Sequence, residues 1–139
     1  MPIHDYHFTV VDRISRPKLW IRVSNPKDRN KRTQPILAKV DPGTDVSLFP
    51  SDVADEIGID LTDAKEANVT GVMTKGNARL SRARIEALDV DHSLITGATQ
   101  TIDVGFIEGG LLFLLGADFL KSFVLTIDYP NEVFSLTRP

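Results

Sequence analysis

Asp41 is the residue around which acid–base chemistry can be built. It ends the apolar stretch Ile36-Leu37-Ala38-Lys39-Val40 and is followed by Pro42-Gly43-Thr44, so an extended segment delivers a carboxylate at the start of a turn. A carboxylate held in that way can take a proton from a reacting group or return one to it. The sequence has no cysteine, which removes disulfides, thiolate metal sites and a cysteine nucleophile and leaves carboxylates, hydroxyls and three histidines. His4, His7 and His92 do not have the paired spacing of a metal site, so neither a metal nor any other cofactor is expected. Ser47 and Ser51 sit outside any nucleophile-elbow context, and Gly105 and Gly109-Gly110 are not followed by the Lys-Ser/Thr of a phosphate loop. Asp-x-Gly alone is common turn chemistry, so its flanks must carry any stronger reading.

The whole composition sets the frame. With 139 residues, 42% of them hydrophobic, the chain suffices for one domain spanning 1–139 with a modest core. Aromatics are only 7%, whereas Val, Ile, Leu and Thr are plentiful and Gly and Pro recur at short intervals, which favours short strands joined by turns. Sixteen basic residues against nineteen acidic ones give a formal charge of -3, with no basic excess to neutralise nucleic-acid phosphates or anionic lipid. The N-terminus lacks the basic start and apolar stretch of a secretory signal, and the strongest apolar run, residues 111–115, is too short to cross a bilayer. The expectation is a cytoplasmic protein with no nucleic-acid or membrane partner.

The elements that must position Asp41 follow from patterning. Residues 6–11 and 18–23 read as the arms of a hairpin about 14–17, with Trp20 turned inward. Residues 26–34 are polar and basic, a solvated hairpin loop, and 35–40 form the strand leading to Asp41. Residues 46–49 continue apolar. Ser51 is placed to cap a short helix with Asp52, Asp55 and Glu56 in its first turns, and Gly58 closes it. Residues 68–88 read as a long hairpin turning at Thr74-Lys75-Gly76-Asn77; in its second arm Ala83, Ile85 and Ala87 alternate with Arg82, Arg84 and Glu86, which leaves one face wet. Residues 90–100 carry turn chemistry, 101–107 form a strand, and 111–115 read as a strand buried on both faces, with the start of a buried helix as the alternative that periodicity leaves open. Helical spacing over 117–123 and a hairpin of 124–128 with 133–136 complete the chain.

Three motifs in order now carry a resemblance: Val40-Asp41-Pro42-Gly43-Thr44, the hairpin of residues 68–84, and Leu114-Leu115-Gly116. Over residues 19–136 the chain resembles the retropepsin-like aspartic peptidases, especially their small bacterial members. The resemblance implies a mostly β fold, a closed β-barrel forming one acid-protease half with one or two short helices, assembled as a homodimer. It implies that Asp41 is catalytic and meets its own copy across a two-fold axis. Two carboxylates within about 3 Å share one proton, one acting as base toward a water while the other donates to the scissile carbonyl. Gly43 and Thr44 on the active-site loop, and Thr74, Lys75, Gly76 and Asn77 on the flap, would then bind an extended peptide or protein substrate.

Pro42 departs from the family pattern, which has Thr or Ser there. That hydroxyl and its N–H take part in hydrogen bonds between the two active-site loops, and proline has neither donor. A carbonyl left buried and unpaired by the change costs about 1–3 kcal/mol. Thr44 has a hydroxyl, but a displacement of one residue turns it to the other side of an extended backbone. The residues therefore support two readings: an aspartic endopeptidase, or a catalytically degenerate relative that binds peptides or dimerises. Asp45 reads as a solvated turn carboxylate, and Asp118 and Asp128 as structural residues bonding to backbone.

Overall fold

In a computed structural model, described for residues 2–70 and 75–139, strand follows strand with two short helical interruptions. The strands are β1 (Pro2–His7), β2 (Thr9–Val11), β3 (Ile14–Arg16), β4 (Lys18–Asn25), β5 (Asp28–Arg32), β6 (Ile36–Val40) and β7 (Leu48–Pro50). Helix α1 (Ser51–Glu56) precedes β8 (Lys65–Thr70), β9 (Lys75–Leu88), β10 (Leu94–Ile107) and β11 (Leu114–Leu115); α2 (Ala117–Leu120) precedes β12 (Val124–Asp128) and β13 (Val133–Thr137).

The main sheet runs β5-β4-β6-β11-β7-β10-β9-β8, and β4 also pairs with β9. That extra pairing, Trp20↔Leu88 through Ser24↔Arg84, closes β4-β6-β11-β7-β10-β9 into a six-stranded barrel. Alternate residues of each strand fill it. Leu19, Ile21 and Val23 of β4, Ala38 and Val40 of β6, Phe49 of β7, Ala83, Ile85 and Ala87 of β9, Val104 and Phe106 of β10 and Leu115 of β11 are all buried in one cluster. Each large side chain among them contributes about 1.5–3 kcal/mol by leaving water. Helix α1 closes one side of the barrel with Val53, Ala54 and Ile57. It ends in a Schellman motif: the N–H of Ile59 donates to the Ala54 carbonyl at 2.8 Å and that of Gly58 to Asp55 at 3.2 Å, with Gly58 at φ +72°.

Several local expectations are overturned. Segments 6–11 and 18–23 do not form a hairpin: β1 pairs with β13, β4 joins the barrel, and the small hairpin between them is β2–β3, turning at Asp12 and Arg13 with φ of 51° and 67°. The pattern specified strands, but not which ones meet. Trp20 is not inward, because Leu19 and Ile21 take the core side of β4; its ring lies on the outer face against His92, 4.3 Å between centroids. Residues 28–32 are a strand rather than loop, although an exposed one, antiparallel to β4. Ser51 does not cap α1; Pro50 holds the N-cap position and no side-chain bond is made. Glu86, assigned to a wet face, is buried, because β4 crosses beside it and Arg29 reaches over to its carboxylate at 3.3 Å.

The apolar run 111–115 is likewise not a doubly buried strand. Only Leu114 and Leu115 pair, while Leu111 and Leu112 are 89% and 48% exposed on the loop that follows the Gly109–Gly110 turn. The C-terminal hairpin forms as expected, with the turn at 129–132, and β1 extends it into a three-stranded sheet ordered β1-β13-β12. There Tyr6 stacks on Phe134, ring centroids 5.1 Å apart.

Burial pushes the Tyr6 phenol well above its ordinary value, and the nearby Asp89 charge acts in the same direction. A raised folded value means that the unfolded chain ionises first, so this part of the stability is present below pH about 10 and is lost above it. The carboxyls of Asp60, Asp91 and Asp128 are held below the usual carboxylate range, chiefly by side-chain hydrogen bonds from Thr62, Ser93 and Asn131. Their contribution is present at neutral pH and disappears as pH falls through the folded values. Melting temperature against pH should therefore fall on both flanks, and Tyr6→Phe should flatten the alkaline flank alone. An unchanged alkaline slope in that variant would refute the assignment.

Candidate active site

Asp41 stands at the end of β6, where Ala38 and Val40 point into the core and Lys39 and Asp41 take the opposite face. Its N–H donates to the Leu115 carbonyl at 2.9 Å, and its own carbonyl accepts from Thr44 N–H at 3.2 Å. The latter bond closes a turn with Pro42 and Gly43 in the middle, and Pro42 suits the second position because its ring presets φ. Gly43 does not take a positive φ. Its N–H donates to Asp41 Oδ1 at 3.2 Å, and a Cβ built on it would stand 3.4 Å from that same oxygen. The glycine thus leaves a carboxylate oxygen uncovered by any side chain at position 43. The Asp41 side chain is 26% exposed, and Lys39 Nζ lies 3.8 Å from its Oδ2.

Beneath this loop passes β11, parallel to β6 on one side and antiparallel to β7 on the other. Backbone bonds join the two segments residue by residue: Lys39 N–H to Phe113, Asp41 N–H to Leu115, Ala117 N–H to Thr44 at 2.7 Å and Asp118 N–H to Asp45 at 3.2 Å. Gly116 has an ordinary backbone conformation, φ -93° and ψ -173°, so freedom of φ is not why a glycine is there. Space is the reason, since a Cβ would lie 2.5 Å from the Thr44 carbonyl oxygen and 2.9 Å from Val46 C.

Ser47 and Asp118 lock the crossing. Asp118 accepts from Ser47 N–H at 2.9 Å through Oδ2, and from Ser47 Oγ at 2.6 Å and Phe119 N–H at 2.8 Å through Oδ1. Ser47 Oγ in turn accepts from Gly116 N–H at 3.0 Å. Asp118 thereby takes the structural role read from the sequence, but its partnership with Ser47, 71 residues away, was not legible there. The available signal was a serine between Val46 and Leu48, a polar group in an apolar segment that must find a partner once buried.

Of the other residues singled out, Thr44 is half-buried and contributes its carbonyl to the crossing, while the Asp45 side chain is exposed. Thr74 lies outside the described residues. Lys75, Gly76 and Asn77 are not a turn but the first residues of β9, paired with Thr70, Val69 and Asn68 of β8. Pairing simply continues further toward the hairpin end than turn propensity suggested. Among the described residues no group of three or more histidines or acidic residues could hold a metal ion, and no helix is long and apolar enough to cross a membrane.

Because the close atoms are backbone on both sides, Gly116→Ala should destabilise the fold by about 3 kcal/mol in urea unfolding. Asp118→Ala should cost about 1–3 kcal/mol by stranding the Ser47 and Phe119 donors. Adding Ser47→Ala should then cost less than its single effect, and strict additivity of the two would dissolve the proposed lock.

The sequence matches no protein-family model and no curated protein. Solved structures do resemble it. A retropepsin-like aspartic protease from Rickettsia conorii superposes with a TM-score of 0.53 at 19% identity, covering 96% of this chain and 89% of that one. EIAV protease, in complex with an inhibitor, gives a TM-score of 0.41 at 17% identity, covering 81% of this chain and 92% of that one. The closed barrel, the strand crossing behind the Asp41 loop and the first of these likenesses agree: the chain has the retropepsin-like fold.

Proposed function

We propose that the protein is an aspartic endopeptidase that cuts extended polypeptides, with Asp41 of two copies forming the catalytic pair. The observation that supports this reading is the setting of Asp41: a part-exposed carboxylate held at the end of β6 by the β11 crossing, within a retropepsin-like fold. One chain supplies one such carboxylate, so a two-fold assembly is needed to bring a second beside it. With one proton shared, the charged member draws a proton from water as that water attacks the scissile carbonyl, and the protonated member donates to the carbonyl oxygen. Collapse of the tetrahedral intermediate returns a proton to the leaving amine. On the same reading Gly43, Thr44, Thr74, Lys75, Gly76 and Asn77 would line the substrate's path.

Pro42 favours a second reading, a peptide-binding or dimerising relative without turnover. Its lack of an N–H and its place in the middle of the active-site turn remove one donor that a loop-to-loop bond between copies would use. The two readings separate in one assay. A diverse peptide pool is incubated from acidic to neutral pH with wild type, Asp41→Asn and Pro42→Thr, and cleavage is followed by mass spectrometry. The peptidase reading expects wild-type cleavage that rises as pH falls into the range where one proton is shared, and loss of about 10³-fold or more with Asp41→Asn. No wild-type cleavage, with gain in Pro42→Thr, would support the second reading. Cleavage persisting in Asp41→Asn would overturn the mechanism.

A further inference from the structure

Lys39 is out of keeping with its surroundings. The register pairs it with Lys18 across β4 and β6 and with Leu114 across β6 and β11, while Leu114 pairs in turn with Leu48 of β7. Paired residues share a face, so Lys18, Lys39, Leu114 and Leu48 lie on the side of the sheet that carries Asp41, away from the barrel interior. Leu48 and Leu114, with Ala78, Val46 and Ile107, form a small apolar cluster separate from the main core. The wall beside Asp41 is therefore apolar apart from its lysines. Like charges directly opposite on neighbouring strands repel, and such a pair is a local cost the fold does not need. Lys39 also remains 35% exposed and reaches to 3.8 Å from Asp41 Oδ2.

We propose that Lys39 is a specificity-determining residue that selects substrates with a carboxylate side chain next to the scissile bond. The inference rests on the peptidase reading for where the substrate lies. A scissile carbonyl seated on Asp41 brings its flanking side chains within reach of Nζ, since Nζ itself lies beside that carboxylate. In the assembled site two copies of Lys39 face a carboxylate pair that shares one proton and so carries one negative charge. One ammonium is thus left without a full countercharge, and Lys18 behind each copy adds to the excess. A glutamate or aspartate side chain supplies the missing charge in a partly desolvated place, whereas a neutral isostere leaves the ammonium unpaired. The apolar cluster beside it accommodates the stem of such a side chain or an apolar neighbour in the peptide.

The test uses the full chain and a decapeptide library randomised only at its two central positions. It is read twice, by cleavage with wild type and by capture on immobilised Asp41→Asn protein, which retains Lys39 but has lost the catalytic carboxylate. Glu should exceed Gln, and Asp exceed Asn, by about tenfold, at one central position in cleavage and at both in capture, where Asp41→Asn leaves neither Lys39 a carboxylate beside it. Lys39→Met should abolish that ratio, and Lys39→Arg should keep it. A melting curve for each variant controls for folding, and Lys39→Met should melt no lower than wild type because it removes the repulsion with Lys18. Equal recovery of Glu and Gln peptides, a ratio that survives in Lys39→Met, or a uniform gain on all peptides in that variant would each overturn the proposal. Acid-selective capture without any cleavage would sustain the role of Lys39 while removing the peptidase reading. Neither capture nor cleavage would overturn both.

Discussion

The strand crossing behind Asp41 is the constraint on which the remainder of the structure hangs. Strand β11 is only two residues long, yet it fills the gap between β6 and β7 that would otherwise leave the barrel open. Without it neither neighbour has a partner on that side, and unpaired backbone groups inside the fold are costly. The crossing is close enough that one position admits no side chain at all, and Ser47 and Asp118 fasten it by linking the segment just after the Asp41 turn to the one just after β11. Because Asp41 itself bonds to Leu115, the position of its carboxylate is inherited from this knot rather than from the turn alone.

The same arrangement divides the side chains of β6 and β11 into two populations. Ala38, Val40 and Leu115 belong to the barrel core, where hydrophobic burial holds the strands in register. Lys39, Asp41 and Leu114 belong to the other face. A slip of one residue would exchange the two sets, sending a lysine and an aspartate inward, so core packing and site geometry are specified by one register. Stability and the setting of the Asp41 carboxylate are coupled here through the pleat of a strand and not through any direct contact between core and carboxylate.

Proline at position 42 acquires a local rationale in this setting. The turn closed between Asp41 and Thr44 accepts proline at its second position, so within one chain Pro42 shapes the loop that exposes the carboxylate. What it withholds is a donor toward anything outside the chain. A residue can thus be favourable for the fold of a single copy and unhelpful for joining two.

Much of this architecture was legible because strands announce themselves by composition and period. The strand into Asp41, the alternation of Ala83, Ile85 and Ala87, the C-terminal hairpin and the Gly58 helix stop were all readable locally, since each depends on residues a few positions apart. Partner choice was not. That β1 pairs with β13, that β4 closes the barrel on β9 and buries Glu86, and that Ser47 finds Asp118 are decisions between segments distant in the chain, and no spacing rule encodes them. Apolar runs misled for the same reason: residues 111–115 look uniformly buried, but only Leu114 and Leu115 enter the sheet between β6 and β7, and Leu111 and Leu112 are left outside. By itself the sequence determined the kind of element, the fold it resembles and the aspartate on which the proposed site is centred. Only the tertiary structure decided which faces meet, and hence that a lysine stands beside that aspartate, because the contacts that settle it are made across the sheet rather than along the chain.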